Sequence, residues 1–467
     1  MNAPQRRGAC PGVAVPMPTG DGLLVRLASL GATIPLDAAA ALSAAARRHG
    51  NGIIEVTARG SIQIRGLNPA SAPAFADAVA ALGIDAGEGV SILVDPLAGL
   101  EAEQTIDACG LAAALRRRLA AVSFAARLGP KVSVVIDGGS VLHLDAVQAD
   151  VRLRATAAGW HVGLGGDDAT ATPMGFVAAA NADQLVVQLL ARLAQHGPRA
   201  RACDRIREQG PDVLRSAIAD VLIDAQFSHD DDSNRPPQAG SRAAPAQLIP
   251  TPRSASNPIG THPLRDGAAL GIGLAFGHTD VDALDPLIEA AQEAGARGLR
   301  TAPGRALLLI GVAAKMAPKL AARAQSLGFV TRLDDPRRHV VACAGAPICA
   351  AAEIPARTLG PMISSAAAVL LDGSLTIHVS GCPKGCAHPG AAALTIVGST
   401  EGCGLVIDGS ARDRPGFTIA TTDLPAGFGR LAQEVARTDR PGEKAADTLA
   451  CLGAARIAAI LGAGRDG

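Results

Sequence analysis

The stretch Glu55-Val-Thr-Ala-Arg59, with Ile62-Gln-Ile-Arg65-Gly66 after it, recurs in outline as Gly298-Leu-Arg-Thr-Ala302 and Ala306-Leu-Leu-Leu-Ile310-Gly311, about 245 residues further on. Each copy reads as a pair of short strands, two apolar runs broken by a turn. Ahead of each pair lies an Ala-rich amphipathic stretch, opening at Asp37 or Asp282 and closing on Gly50-Asn51-Gly52 or on the segment from Gly295 to Gly298. That pattern predicts a helix. A second helix follows each pair and ends in Leu82-Gly83 or Leu327-Gly328. The order strand, helix, strand, strand, helix is that of a split βαβ unit, and it occurs twice. The fold class expected is therefore α+β, internally duplicated.

A chain of 467 residues exceeds what one hydrophobic core usually serves. The expected organisation is a first ferredoxin-like half-domain over 1–90 and a larger α/β domain over 91–227. After a linker over 228–262 come a second ferredoxin-like half-domain over 263–335 and a second larger α/β domain over 336–467. The linker is read from an Asp run, Pro236-Pro237 and further Gly, Ser and Pro without periodicity. Lys plus Arg and Asp plus Glu balance at 43 each, so the bulk positive charge expected of a nucleic-acid or membrane-surface binder is absent. Arg6-Arg7 is followed by Gly8-Ala-Cys-Pro-Gly12 and not by an apolar run, which argues against a twin-arginine signal. No stretch of transmembrane length is free of charges or breakers, and a cytoplasmic location is expected. In a reducing compartment nine cysteines point to metal binding or catalysis before disulfides.

Spacing selects four of them. Cys343-Ala-Gly-Ala-Pro-Ile-Cys349 and Gly381-Cys382-Pro-Lys-Gly-Cys386 are two close pairs in Gly/Pro-bearing loops, and Leu375-Thr-Ile-His-Val379 reads as the strand that delivers the second pair. Four thiolates suit an iron–sulfur cluster or zinc, although zinc pairs are usually spaced C-x2–4-C. A fixed offset of about 245 sets Ala98, Gln104, Asp137 and Val141 opposite the four, so the constellation belongs to the C-terminal half alone. Cys10, Cys109, Cys203, Cys403 and Cys451 show no grouping and are read as small hydrophobes. His378 and His388 flank the second loop.

With these motifs the chain resembles the sulfite and nitrite reductase haemoproteins, whose C-x5-C and G-C-x3-C loops hold a 4Fe-4S cluster beside sirohaem. The resemblance covers nearly the whole chain and implies that Cys343, Cys349, Cys382 and Cys386 are the cluster ligands. Gly381-Cys-Pro-Lys-Gly-Cys-Ala-His-Pro389, Asp95-Pro-Leu-Ala-Gly99 and Gly20-Asp-Gly-Leu-Leu24 narrow it to a branch that acts on a corrinoid precursor. The chain also departs from the reductase pattern. Ala393 stands where an acidic residue follows the last cysteine, Val90-Ser91 where an Arg-Asn pair falls, and Lys131-Val-Ser133 keeps one lysine of a Lys-x-Lys pair. With that basic cage half dismantled, reduction of a small anion is disfavoured and a tetrapyrrole is favoured as the substrate.

The resemblance then implies that precorrin-3A, dioxygen and a reductant (NADH or a reduced carrier) react to hydroxylate C20 and close a γ-lactone through the ring A acetate. It also implies an additional non-haem iron, for which no ligand spacing stands out. The substrate is a polyanion, so Arg and Lys are expected around it. Arg59 and Lys131 match reductase positions. Arg65, Arg300 and Arg305 are added from the repeat, and Lys384 and His388 in the cluster loop are the candidates for catalysis. Two other readings are a sirohaem-dependent sulfite or nitrite reductase and a non-catalytic cluster-bearing electron carrier or zinc-stabilised protein. Because the duplication supplies a two-fold relation within one chain, a monomer is expected.

Overall fold

The computed structural model describes residues 11–27, 31–84, 86, 89–104, 106–223, 253–438 and 442–462. Arg6-Arg7 and Cys10 lie outside them, as does all of the expected linker before residue 253.

The first half opens with β1 (Met17–Thr19), β2 (Gly22–Leu27), β3 (Ile34–Pro35), α1 (Leu36–His49), β4 (Ile53–Val56), β5 (Ile62–Leu67) and α2 (Ser71–Ala81). It continues with β6 (Ser91–Val94), α3 (Ala108–Ala120), β7 (Ser133–Asp137), β8 (Ala149–Thr156), β9 (Gly159–Gly166), β10 (Thr172–Val177), α4 (Ala182–Ala194), α5 (Ala202–Gln209) and α6 (Asp212–Arg215). The second half repeats the strand order and most of the helices. It begins with β11 (Gly260–Pro263), β12 (Ala268–Gly273), β13 (His278–Asp280), α7 (Val281–Glu293), β14 (Gly298–Ala302), β15 (Ala306–Val312) and α8 (Ala317–Ser326). It ends with β16 (Val340–Ala342), α9 (Ala356–Ala366), β17 (Ile377–Ser380), β18 (Ala392–Ser399), β19 (Gly402–Gly409), β20 (Phe417–Ile419), α10 (Leu424–Thr438) and α11 (Ala445–Gly462).

The duplication read from the hairpins thus extends through every sheet of the chain. Two five-stranded sheets have the order β1-β2-β5-β4-β13 and β11-β12-β15-β14-β3; the other two have β10-β9-β8-β7-β6 and β16-β17-β18-β19-β20. The helices behave as their sequences predict. Asp37 and Asp282 lie in first turns, and Asp280 caps α7 by accepting the Ala283 N–H at 2.9 Å.

The first two sheets exchange edge strands, which the sequence reading did not anticipate. β3 from the first half pairs with β14 of the second (Gly298 opposite Pro35, Leu299 opposite Ile34), and β13 returns the exchange against β4. One hydrophobic core then serves both half-domains, with Leu27, Ile64 and Phe75 packed in the same cluster as Ile272, Leu287 and Leu309. Helices α1 and α7 close it, joined by Ser43 Oγ to Asp285 at 2.5 Å and by Arg47 to Asp282 and Asp285 at 2.6 and 2.8 Å.

The larger sheets are mixed. In one β6, β7 and β8 run parallel, in the other β16, β17 and β18, and two antiparallel strands complete each. Helices pack on one face of each, and β7 (Ser133-Val-Val-Ile-Asp137) is buried throughout because Leu144 and Val147, from the loop after it, cover Val135 on the other face. The end of the stretch read as linker is ordered: residues 253–262 are described, and β11 begins inside it. Helix α11 is long and apolar enough by composition to cross a membrane, but Gly453 leaves helical geometry at φ 72°, ψ 161° and divides it into two short segments.

Candidate functional site

Parallel neighbours β16 and β17 end at the same edge of their sheet, and the loops that leave that edge carry the four cysteines. In α/β sheets this carboxyl edge is where ligands gather. Cys343 follows β16 directly and donates its N–H to Val379 O at 3.1 Å, which continues the ladder into the loop. Gly381, just past β17, then donates its N–H to Cys343 Sγ at 3.1 Å. Only glycine fits at 381, because a Cβ there would lie 2.6 Å from Ala352 Cβ. The two loops are tied by Glu353 N–H to Gly381 O at 2.8 Å, and Ser380 Oγ donates to Cys382 O at 2.7 Å.

Cys349 and Cys382 lie close enough to both Cys343 and Cys386 for their charges to act on these thiols, so the two loops face one another. Burial pushes the Cys343 thiol up, opposed by the N–H groups of Gly381 and Gly345; burial and the neighbouring sulfurs also raise Cys386. Among the described residues no three of these sulfurs come within 4.8 Å of one another. Tetrahedral zinc would hold them roughly 3.8 Å apart, given Zn–S bonds of about 2.3 Å. Four thiols on two facing loops, one of them accepting a backbone N–H, are a donor set that an iron–sulfur cluster fits. Cys386 is exposed and the other three are half-buried, so the loop opens on the Cys386 side. Cys403 is buried in the core, as read.

The first half reaches this edge. Gly20 N–H donates to Ile348 O at 2.7 Å, and a Cβ on Gly20 would lie 2.2 Å from Pro347 O, so the Gly20-Asp-Gly turn is pressed against the C-x5-C loop. Beside it Asp21 pairs with Arg65 at 3.0 Å, while Glu55 pairs with Arg65 at 3.4 Å and with Arg357 of α9. This corrects the expectation for Arg65. It is buried between two carboxylates and has no charge left for a substrate. Asp21 and Glu55 lie inside stretches the sequence singles out and Arg357 does not, but their pairing becomes visible only when the fold sets them side by side.

Arg300 is corrected in the same way. It is buried, donating to Thr33 Oγ1 at 2.7 Å and to the carbonyls of Pro96 and Ala98 at 3.0 and 2.9 Å, so it braces the Asp95-Pro-Leu-Ala-Gly99 loop. Arg59 reaches the strand that follows Lys131. Arg59 Nη2 donates to Ser133 Oγ at 3.1 Å, two residues from the exposed Lys131. Ser133, at the place of the missing lysine, therefore holds an arginine in position. The hairpin tips of the two halves meet, Gly304 N–H to Ala58 O at 2.9 Å, which puts Arg305 near this group. Arg305 itself turns to the cluster loop and donates to Ala387 O at 3.0 Å. Lys384 is exposed on that loop, and the His388 ring sits 3.1 Å from Ala391 O. His378 is fully buried with both ring nitrogens unpartnered; burial, His388 and Arg305 push its pKa down to about 4.

Hydrogen bonds also correct the pseudo-symmetric comparison. Asp95 N–H donates to Ile136 O and Gly138 N–H to Asp95 Oδ2 at 2.8 Å, the same two bonds that Cys343 and Gly381 make. Asp95 thus stands where Cys343 does, and the equal loop lengths that follow align Glu101 with Cys349, Gly139 with Cys382 and His143 with Cys386. The fixed offset was wrong by a few residues because the segments before and between these loops differ in length. Asp137, His143 and Asp145 cluster there, but Arg253 Nη2 donates to Asp137 at 2.5 Å and also to Asp145, and His143 Nε2 lies 2.7 Å from Ser254 O. With both carboxylates taken by Arg253 and His143 Nε2 facing Ser254 O, this set does not fit an additional iron.

Residues 15–82 match the model of the nitrite/sulfite reductase ferredoxin-like half domain. A solved structure of the NirA protein of Mycobacterium tuberculosis superposes with a TM-score of 0.71 over 91% of this chain and 83% of that one, at 19% identity, which establishes the shared fold. A precorrin-3B synthase of a Sinorhizobium species is 39% identical over 98% of this chain and 95% of its own length. The chain belongs to the precorrin-3B synthase family. Sulfite reductases are more distant relatives of this synthase-family chain: a ferredoxin-type enzyme of Mycolicibacterium paratuberculosis is 27% identical over 42% of it and 37% of the enzyme's own length. A Shewanella loihica haemoprotein β-component is 33% identical over 21% of it and 18% of its own length.

Proposed function

We propose that this chain converts precorrin-3A to precorrin-3B in cobalamin biosynthesis, inserting one oxygen atom at C20 while the ring A acetate closes a γ-lactone. Dioxygen is the oxidant. Two electrons and two protons from NADH or a reduced carrier take the second oxygen atom to water, so the reaction balances. Near full-length similarity to a precorrin-3B synthase carries the reading, and the altered anion cage supports it.

Cys343, Cys349, Cys382 and Cys386 would hold a 4Fe-4S cluster, which supplies single electrons when bound. The remaining work falls to the chain. Arg59, fixed by Ser133, and the exposed Lys131 offer positive charge for substrate acetate and propionate groups. Fixed hydrogen-bonding partners pre-position Arg59, so less side-chain freedom is lost when a carboxylate docks. The Asp21–Arg65–Glu55–Arg357 chain locks the half-domain to α9, and therefore the substrate face to the cluster loops. Lys384 and His388, on the loop that carries Cys382 and Cys386, are the candidates to supply a proton to the substrate. This reading treats a cytoplasmic monomer as the working unit.

Anaerobic purification followed by iron, sulfide and zinc analysis, an absorption spectrum, and then addition of precorrin-3A and air tests it. About four irons and four sulfides per chain, no haem band, and oxygen uptake dependent on precorrin-3A are expected. A stoichiometric sirohaem spectrum with sulfite or nitrite turnover would make the reductase reading correct instead.

A further inference from the structure

The β14–β15 hairpin carries Arg305 where the β4–β5 hairpin carries Gly60. Both sit at positive φ, 63° and 85°, a conformation that glycine takes freely and arginine resists. An arginine kept in such a place invites the question of what its side chain does.

Its surroundings hold it firmly. Arg305 O accepts the Leu274 N–H at 2.9 Å, its aliphatic stem packs on Gly277, where a Cβ would lie 2.7 Å from Arg305 Cδ, and Nη2 reaches Ala387 O at 3.0 Å. Ala387 follows Cys386 directly. Among the described residues no carboxylate pairs with Arg305, and burial alone lowers its pKa. Nearby, His378 is fully buried with neither ring nitrogen hydrogen-bonded. In the first half the corresponding face of β7 is filled by Val135, Leu144 and Val147. A half-buried cation with no carboxylate partner is less favourable than a solvated one unless an anion outside the protein offsets it. A 4Fe-4S cluster on four thiolates is such an anion, and its negative charge grows by one on reduction.

We propose that Arg305 is a positioning residue that raises the reduction potential of the cluster. Its fixed charge behind the Cys386–His388 turn stabilises the reduced state more than the oxidised one, and its hydrogen bond to Ala387 O fixes the turn. Cluster net charge and nearby donors are the quantities that set such potentials. The inference rests on the reading that the four cysteines hold a 4Fe-4S cluster, and it takes Arg305 away from the set that binds substrate carboxylates.

The test uses the full chain, purified anaerobically as wild type, Arg305→Gly and Arg305→Lys. Each is assayed for iron and sulfide and titrated with dithionite under EPR, without precorrin-3A. Arg305→Gly is chosen because glycine already occupies this turn in the first half. At the potential that half-reduces the wild type, Arg305→Gly is expected to show a reduced-to-oxidised ratio about tenfold lower, equivalent to 59 mV for one electron. Arg305→Lys is expected to recover most of that difference. If Arg305→Gly assembles no cluster, Arg305→Gln, which keeps a donor for Ala387 O without the charge, is judged by the same tenfold criterion. Variants that carry full clusters and titrate with the wild type overturn the inference, as does a lysine variant shifted as far as the glycine one. A wild type without iron and sulfide shows that the cluster reading itself has failed.

Discussion

At the scale of single residues, Cys382 illustrates how much a loop position depends on its neighbours. Its partner Gly381 sends an N–H to Cys343 Sγ and leaves no room for a Cβ, so the second loop cannot shift to replace a lost ligand. Cys382→Ala is therefore expected to lose most of its iron and sulfide while keeping the wild-type far-ultraviolet circular dichroism; normal metal content in that variant would exclude Cys382 as a ligand. Asp95, the structural counterpart of Cys343, gives a second prediction. Burial, with Asp137 and Glu101 nearby, raises its pKa from 3.8 to about 7, against the Gly138 N–H that lowers it. The folded protein thus keeps a proton that the unfolded chain releases between those values, and the associated stability is lost as pH rises through about 7. Asp95→Asn, which keeps an acceptor for Gly138, is expected to be more stable than the wild type at pH 8, by at most about 4 kcal/mol, with the gain shrinking toward pH 4. Denaturant melts across that range check it.

At the scale of elements, the exchanged strands decide what can be removed. Arg65 of β5 lies between Asp21 and Glu55 with all three side chains largely buried. Breaking such a group by removing one partner leaves buried charge uncompensated, so Arg65→Met is expected to destabilise the fold by about 3 kcal/mol. A simple substrate ligand would instead raise KM and leave stability unchanged, so the two measurements separate the roles. His278 of β13 faces Glu55 in the exchanged pair, and burial together with Arg357 holds its pKa down from 6.5 to about 4. As pH falls through that window the unfolded chain binds a proton that the folded chain refuses, so stability is lost between pH 6.5 and 4. His278→Gln is expected to flatten that loss by up to about 3 kcal/mol, read from denaturant midpoints at pH 7 and 4.5.

Elements were also where the sequence was most legible. Periodicity and glycine punctuation placed α1, α7 and both hairpins, because those signals are local. The exchange of β3 and β13 was not legible, since Ile34-Pro35 and His278–Asp280 are too short to show a period and their partners lie in the opposite half. For the site, the four cysteines stood out by spacing, while the arginines did not sort themselves. Arg65, Arg300 and Arg305 look alike in sequence; only the positions of Asp21, of the Pro96 and Ala98 carbonyls and of Ala387 O tell them apart. The fixed repeat offset misplaced Asp95 because the segments before and between the loops differ in length between the halves.

At the scale of the whole molecule, one duplicated scaffold carries two versions of the same edge, one built with thiols and one closed by Arg253 between Asp137 and Asp145. The shared core of the ferredoxin-like pair makes the halves interdependent. Expressed alone, residues 253–467 are expected to lack cooperative unfolding, because β14 would have an open edge in place of β3 and the apolar face of α7 would lose α1. A sharp calorimetric transition for that fragment would contradict the interlocked description.

The central claim, that this scaffold oxygenates a tetrapyrrole and does not reduce a small anion, is tested most directly by supplying the reduced protein with precorrin-3A under oxygen-18 gas and recording the mass of the product. One labelled oxygen atom in the hydroxylated lactone is the predicted result. A product without label, or unchanged precorrin-3A from a protein that turns over sulfite, would contradict it.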